Sequence, residues 1–208
     1  MQKKDTMKNN RSGSYAFIIA CCALFLTMLL PADAMSQKNS PSSGKVSIVI
    51  EGTSNVHDWD IKSDKGICTS VFDLSKAGLL NGISELSFTI PAESLKSDHK
   101  GMDKNTYKAL NTGKYASILF KAGSIEVKPS GKSKYALTTK GKLTIAGVSN
   151  DVVLTATGTV NADQTVSYSG SYQLKMTDYK VDPPKAVLGT IKTGDKVVVK
   201  YDLVLKSI

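Results

Sequence analysis

Apolar side chains recur at every second position through most of the chain beyond residue 44. The last run shows it best. Val197, Val199, Tyr201, Leu203 and Leu205 share one parity, while Lys200, Asp202 and Lys206 share the other. A period of two is that of a strand with one face in a core and the other in water. The same alternation puts Val46, Ile48 and Ile50 on one strand, Leu86, Phe88 and Ile90 on another, and Ile118 and Phe120 on a third. Tyr135 and Leu137, then Leu143 and Ile145, line a long run interrupted at Gly141, and Val152 and Leu154 follow. Val166, Tyr168, Tyr172, Leu174 and Met176 oppose Ser167, Ser169, Ser171, Gln173 and Lys175.

Turn chemistry separates these runs. Lys128-Pro129-Ser130-Gly131, Ala146-Gly147-Val148-Ser149-Asn150, Asn161-Ala162-Asp163 and Thr193-Gly194-Asp195 are the expected reversals. Such short links make neighbouring strands antiparallel. One helix is expected over residues 103–110, with Met102, Tyr107 and Leu110 as its buried stripe, and a shorter turn follows Pro91 over residues 93–96. Asp182-Pro183-Pro184 starts a loop, since proline lacks the donor and restricts its neighbour. Seven or eight strands must hide their apolar faces in a sandwich or a barrel. No Cys–Trp–Cys pattern supports an immunoglobulin-type sandwich. The long strands suit an all-β, eight-stranded antiparallel barrel with one short helix. A barrel of that size is either filled by its own side chains or holds one small ligand.

The first 34 residues read as a cleaved export signal rather than as part of this fold. Lys3, Lys4, Lys8 and Arg11 form a basic start, residues 15–30 are uncharged and apolar, and Pro31 precedes the small-residue site Ala32-Asp33-Ala34. Sixteen apolar residues fall short of the roughly twenty that span a bilayer. A lipidated cysteine at Ile18-Ile19-Ala20-Cys21 is rejected, because it would leave residues 24–30 as an apolar start to the mature chain. Cleavage after Ala34 is expected to leave 174 residues, one domain, in the periplasm. Residues 35–44, rich in Ser, Asn and Pro, read as a flexible leader, and the barrel as residues 45–208. Cys68 is then the one cysteine, so no internal disulfide forms, and burial in a strand suits it better than reactivity. The formal charge falls from +9 to +7 on cleavage. Such a chain is able to touch anionic membrane surfaces transiently, but its lysines are dispersed, which favours a solvated face. The compartment and the lack of a binding motif exclude nucleic acid.

Candidate chemistry is sparse. His57-Asp58-Trp59 reads either as a polar anchor and aromatic wall at a ligand mouth or as a hydrogen-bonded turn whose Trp plugs one barrel end. Ser54 is near His57 but sits in no strand–turn–helix elbow, so the chain does not read as an enzyme. His57, His99 and Cys68 are not at metal-ligand spacing, so no metal or other cofactor is expected. The Tyr and Phe residues of the apolar parity sets are either core or cavity lining.

Four segments, in order, carry a family resemblance. They are Ser84-Glu85-Leu86-Ser87-Phe88-Thr89-Ile90-Pro91 with Ser94-Leu95; Met102-Asp103 through Tyr107-Lys108-Ala109-Leu110 to Tyr115 and Ile118-Leu119-Phe120; Gly141-Lys142-Leu143-Thr144-Ile145-Ala146-Gly147-Val148; and Met176-Thr177-Asp178-Tyr179. Together they resemble the YceI-like proteins, exported lipid- or polyisoprenoid-binding barrels of lipocalin-like architecture. The resemblance runs from about Lys45 to the C-terminus. Two departures stand out: Gly52-Thr53-Ser54-Asn55-Val56-His57-Asp58-Trp59 replaces the usual His-containing start, and Met102-Asp103 replaces an Arg-Asp pair. The resemblance implies a hollow barrel that carries or sequesters an isoprenoid-type lipid, and a homodimer. Its apolar cavity would then be lined by Phe88, Phe120, Tyr135, Tyr168, Tyr172 and Tyr201, with Leu86, Ile118, Leu143, Ile145, Leu154 and Leu203, and walled by Trp59. The alternative is a filled barrel acting as a structural or interaction protein of the envelope.

Overall fold

The computed structural model describes residues 40–75 and 77–207. The expected export signal lies outside the described residues. Nine strands and one α-helix follow in chain order: β1 (Ser40–Ser54), β2 (Trp59–Leu74), β3 (Leu80–Pro91), α1 (Lys100–Leu110), β4 (Ser117–Gly131), β5 (Lys134–Ile145), β6 (Val148–Val160), β7 (Val166–Lys175), β8 (Lys185–Ala186) and β9 (Ile191–Ser207). Each of the first six pairs antiparallel with the next, β7 pairs with β9, and β9 returns to β1. The expected eight-stranded barrel therefore closes. β8 pairs only with the start of β9, through Lys185↔Lys192 and Ala186↔Ile191.

The alternation does what its period requires. On β6, Val152, Leu154, Gly158 and Val160 are buried, and Asp151, Val153, Thr155 and Thr157 are exposed. β2 has no such apolar run. Its buried positions include Ser63, Cys68 and Ser70, which a search for alternating large side chains passes over. The hydroxyls are satisfied: Ser70 Oγ donates to Glu85 O (2.8 Å), and Ser63 Oγ meets Ser94 Oγ (2.7 Å).

Several local expectations change. Residues 40–44, assigned to the leader on composition, are strand. They pair with β2 from Ser40↔Phe72, and Gly44 also pairs with Leu205 of β9. A ladder on two sides needs backbone, not apolar side chains. Ser42 is buried and donates to Ser70 O (2.9 Å), and a Cβ at Gly44 would lie 1.9 Å from Val204 O. Thr193-Gly194-Asp195 does not reverse the chain but lies inside β9. There the register jumps from Gly52↔Val197 to Ser54↔Thr193, as a bulge does. Asp195 accepts from Thr177 N (2.9 Å) and Oγ1 (2.7 Å), so the polar residue holds a bend instead of a turn. Gly141 interrupts nothing: β5 runs through it because β4 approaches too closely for a side chain. The β5–β6 turn narrows to Ala146 (φ 48°) and Gly147 (φ 77°), two left-handed residues as a tight hairpin requires.

Candidate functional site

One end of the barrel is hollow. A cavity of about 520 Å³ opens there, bounded by the barrel wall, by α1 and by the segment between β7 and β9. Ile50, Ile61, Ile118, Ile145, Leu174 and Val199 supply its wall from six different strands. Met102, Ala109 and Leu110 of α1 close one side, and Tyr179, Val181 and Ile191 another. Polar groups gather at the mouth: Ser54, His57, His99, Lys104, Asn105 and Lys185. No carboxylate lines the cavity among the described residues. An apolar interior with a few polar groups at its entrance suits an amphiphile.

Short-range bonds hold this lid. Asp103, buried at the first turns of α1, accepts from Ser97 N and Ser97 Oγ (both 2.7 Å). Burial opposes its charge, but those bonds and Lys96 outweigh it and hold the carboxyl below the usual range. Tyr107 Oη lies 2.8 Å from Leu95 O and 3.0 Å from Glu93 O, and Thr112 donates to Glu93 (2.9 Å). The helix is thereby tied to the 3₁₀ turn Ala92–Ser94. It begins three residues earlier than the periodicity predicts, and Asn111 ends it in the left-handed conformation (φ 50°). On the opposite rim, burial pushes Tyr179 up to about 12, with Tyr172 adding to it.

The turn before β2 is both hydrogen-bonded and a cavity wall. Trp59 lies on Gly52, where a Cβ would meet its ring at 2.1 Å, and its indole N–H donates to Thr53 O (2.9 Å). Ser54 Oγ donates to His57 O (2.7 Å), while His57 Nδ1 faces Asp58 O (2.7 Å). The serine thus meets the histidine backbone rather than its ring, which is no nucleophile–base arrangement. Among the described residues no three His, Cys, Asp or Glu side chains gather as a metal site. Cys68 is fully buried, and burial pushes its thiol up to about 12.

The residues expected to line a cavity fall at three levels along the barrel. Trp59, Ile118 and Ile145 line the large cavity. Leu86, Phe88, Leu154, Tyr168, Tyr201 and Leu203 surround a separate space of about 30 Å³ further along. Phe120, Tyr135 and Leu143 are buried and line neither, and Tyr172 packs half-buried on the core. The tyrosines find partners in the wall: Tyr135 Oη accepts from Leu80 N (3.0 Å), and Tyr201 Oη donates to Thr155 O (2.8 Å). Tyr168 has no protein partner for its hydroxyl among the described residues.

Two neighbouring strands show the same order. On β4, Ile118 faces the large cavity and Phe120 lies one step deeper; on β5, Ile145 and Leu143 repeat this. Phe120 stacks on Phe88 with ring centroids 5.0 Å apart, and Phe88 borders the small space. Phe120 and Leu143, which pair in register, therefore form a packed floor between the two voids. Sequence reasoning passed over the α1 and β7–β9 contributions. Met102 and Leu110 of the expected helical stripe were the available signal.

Comparison with known proteins agrees with this architecture. The YceI-like domain family matches residues 40–205. A crystal structure of BcnA from Burkholderia cenocepacia is similar at 22% identity, covering 77% of this chain and 95% of that one, with a TM-score of 0.56. A polyisoprenoid binding domain from Saccharophagus degradans, implicated in plant cell wall breakdown, is similar at 13% identity, covering 82% of this chain and all of that one, with a TM-score of 0.58. No curated protein matches the chain. The chain belongs to the YceI-like family.

Proposed function

We propose that this YceI-like chain is an exported binding protein that holds the apolar tail of an isoprenoid or related lipid for carriage or sequestration. The observation that carries this reading is the 520 Å³ apolar cavity with its polar mouth. The description of the Saccharophagus relative as polyisoprenoid-binding supports the same ligand class. Export with cleavage after Ala34 supplies the compartment in which such a carrier would work.

Energetics narrow the mechanism. Moving a tail out of water gains about 0.8 kcal/mol per CH₂. The tail's real competitor is a bilayer, which is equally apolar. Shape fit and contacts at the mouth must then decide binding. If each carbon with its hydrogens takes roughly 30 Å³, about the share of a water molecule in the liquid, the cavity seats roughly seventeen carbons, or three to four isoprene units. Longer tails would leave their remainder outside, because Phe120 and Leu143 block the way inward.

Mass spectrometry of an organic extract of the purified protein tests this. Wild type should release an apolar lipid, and Ile118→Asp or Leu174→Asp protein should release at least about tenfold less, since each places a charge against the tail. Equal lipid in wild type and in both folded variants would rule the cavity out as the site.

A further inference from the structure

Two loops beside the cavity mouth expose apolar side chains that no barrel needs. The β8–β9 hairpin turns at Val187-Leu188-Gly189-Thr190, with Thr190 N donating to Val187 O (3.0 Å). Val187 (φ 50°), Leu188 (φ 55°) and Gly189 (φ 89°) are all left-handed. That conformation is uncommon for leucine and an outlier for β-branched valine. It turns the side chains outward: Val187 is 67% exposed, and Leu188 is fully exposed. The second loop carries Val56, 61% exposed. Asn55 fastens the two together, with Nδ2 donating to Thr190 O (2.9 Å), Oδ1 accepting from Lys192 N (2.7 Å) and its own N–H donating to Lys192 O (3.1 Å). Val56 and the hairpin tip are therefore parts of one rim.

The charge around this rim is basic. Lys185 and Lys192 pair across the hairpin just below its tip, and Lys104 and Lys185 line the mouth. None of these three forms a salt bridge among the described residues. The acidic residues of the same loops are Asp58, Asp178 and Asp182. Exposed apolar tips ringed by lysine fit a surface with an apolar interior beneath anionic head groups. Other exposed apolar residues, such as Ile67 and Val153, stand on the outer barrel wall away from the cavity lining.

We propose that this rim docks on an anionic phospholipid bilayer, with Leu188, Val187 and Val56 entering the head-group boundary and Lys104, Lys185 and Lys192 meeting phosphate. The cavity mouth then faces the membrane, so a tail passes between bilayer and barrel without crossing water. The purpose rests on the lipid-binding reading above, but the docking is measured separately from it.

Co-sedimentation of the protein without its first 34 residues tests the proposal. The vesicles are phosphatidylglycerol–phosphatidylethanolamine in one arm and phosphatidylcholine in the other. Wild type should partition at least about tenfold more strongly to the anionic vesicles, as three lysines near the surface imply. Leu188→Asp and Val56→Asp should each lower that partition about tenfold or more, while Ile67→Asp on the outer wall leaves it within twofold. Leu188 is fully exposed and outside the cavity lining, so L188D should fold. Its cavity is followed through the fluorescence of Trp59 as prenyl alcohol is added from cyclodextrin. Intact prenyl binding with lost vesicle binding is the expected result. Failure of wild type to sediment, equal binding to both vesicle types, or unchanged binding in L188D and V56D would each overturn docking. Failure to bind prenyl alcohol would instead strike the cavity reading.

Discussion

Gly141→Ala should destabilise the barrel, although propensity alone favours the opposite. Gly141 lies mid-strand in β5, where replacing glycine usually gains roughly 0.4–1 kcal/mol from a less disordered unfolded chain. Here a Cβ would lie 2.4 Å from Lys121 O, 2.8 Å from Phe120 Cζ and 3.0 Å from Ala122 Cα. Two of those three atoms are backbone and cannot rotate aside. β4 and β5 must part, or the Phe120 ring must lift off its seat. Overpacking of this kind costs about 1–3 kcal/mol, so a net loss of about 1–2 kcal/mol is expected. For a domain of this size that lowers Tm by about 2–8 °C. Urea unfolding should show a lower midpoint with an unchanged slope. A midpoint equal to or above that of wild type would refute the close approach and, with it, the seat of the floor.

Asp103→Ala removes the acceptor for two Ser97 donors and should cost about 1–3 kcal/mol by thermal or urea melt, loosening α1 over the mouth. Because the folded Asp103 carboxyl is held below its ordinary value of 3.8, its contribution is present above about pH 4 and is lost as pH falls through the lower folded value, which an acid series of melts will show. At the alkaline end the sign reverses. Cys68, Tyr179 and Tyr201 are each pushed up to about 12 by burial, so the unfolded chain gives up protons first and Tm should fall steadily from about pH 9 toward 12. Cys68 itself should ignore an aromatic disulfide reagent at pH 8 in the folded protein prepared without residues 1–34 and react once urea exposes it.

Strand direction and the inward parity of β1, of β3 to β7 and of β9 were legible because each depends on period two and on turn residues, while the barrel was legible from the length of the strands. β2 was not, because Ser63, Cys68 and Ser70 replace the large apolar residues that periodicity detects. Nor did Thr193-Gly194-Asp195 distinguish a bulge from a reversal, since glycine and an aspartate acceptor serve both. For the site, parity identifies which side chains point inward but not how far along the barrel they lie. Phe120 and Ile118 share a face, yet one is packed floor and the other cavity wall. Depth follows from register, from shear and from where α1 and the β7–β9 segment fold back, and all three depend on tertiary packing. Trp59 was open in the sequence between a wall and a plug, and its partner Thr53 O and its seat on Gly52 follow only from the fold.

A crystal of the protein bound to a four-unit prenyl alcohol carrying bromine at its far end would test the tail's position directly. The anomalous peak should lie among Ile118, Ile145 and Leu174, on the cavity side of the Phe120 ring. A peak beyond that ring beside Tyr168, or outside the barrel wall, would contradict a tail seated in the hollow end above a packed floor.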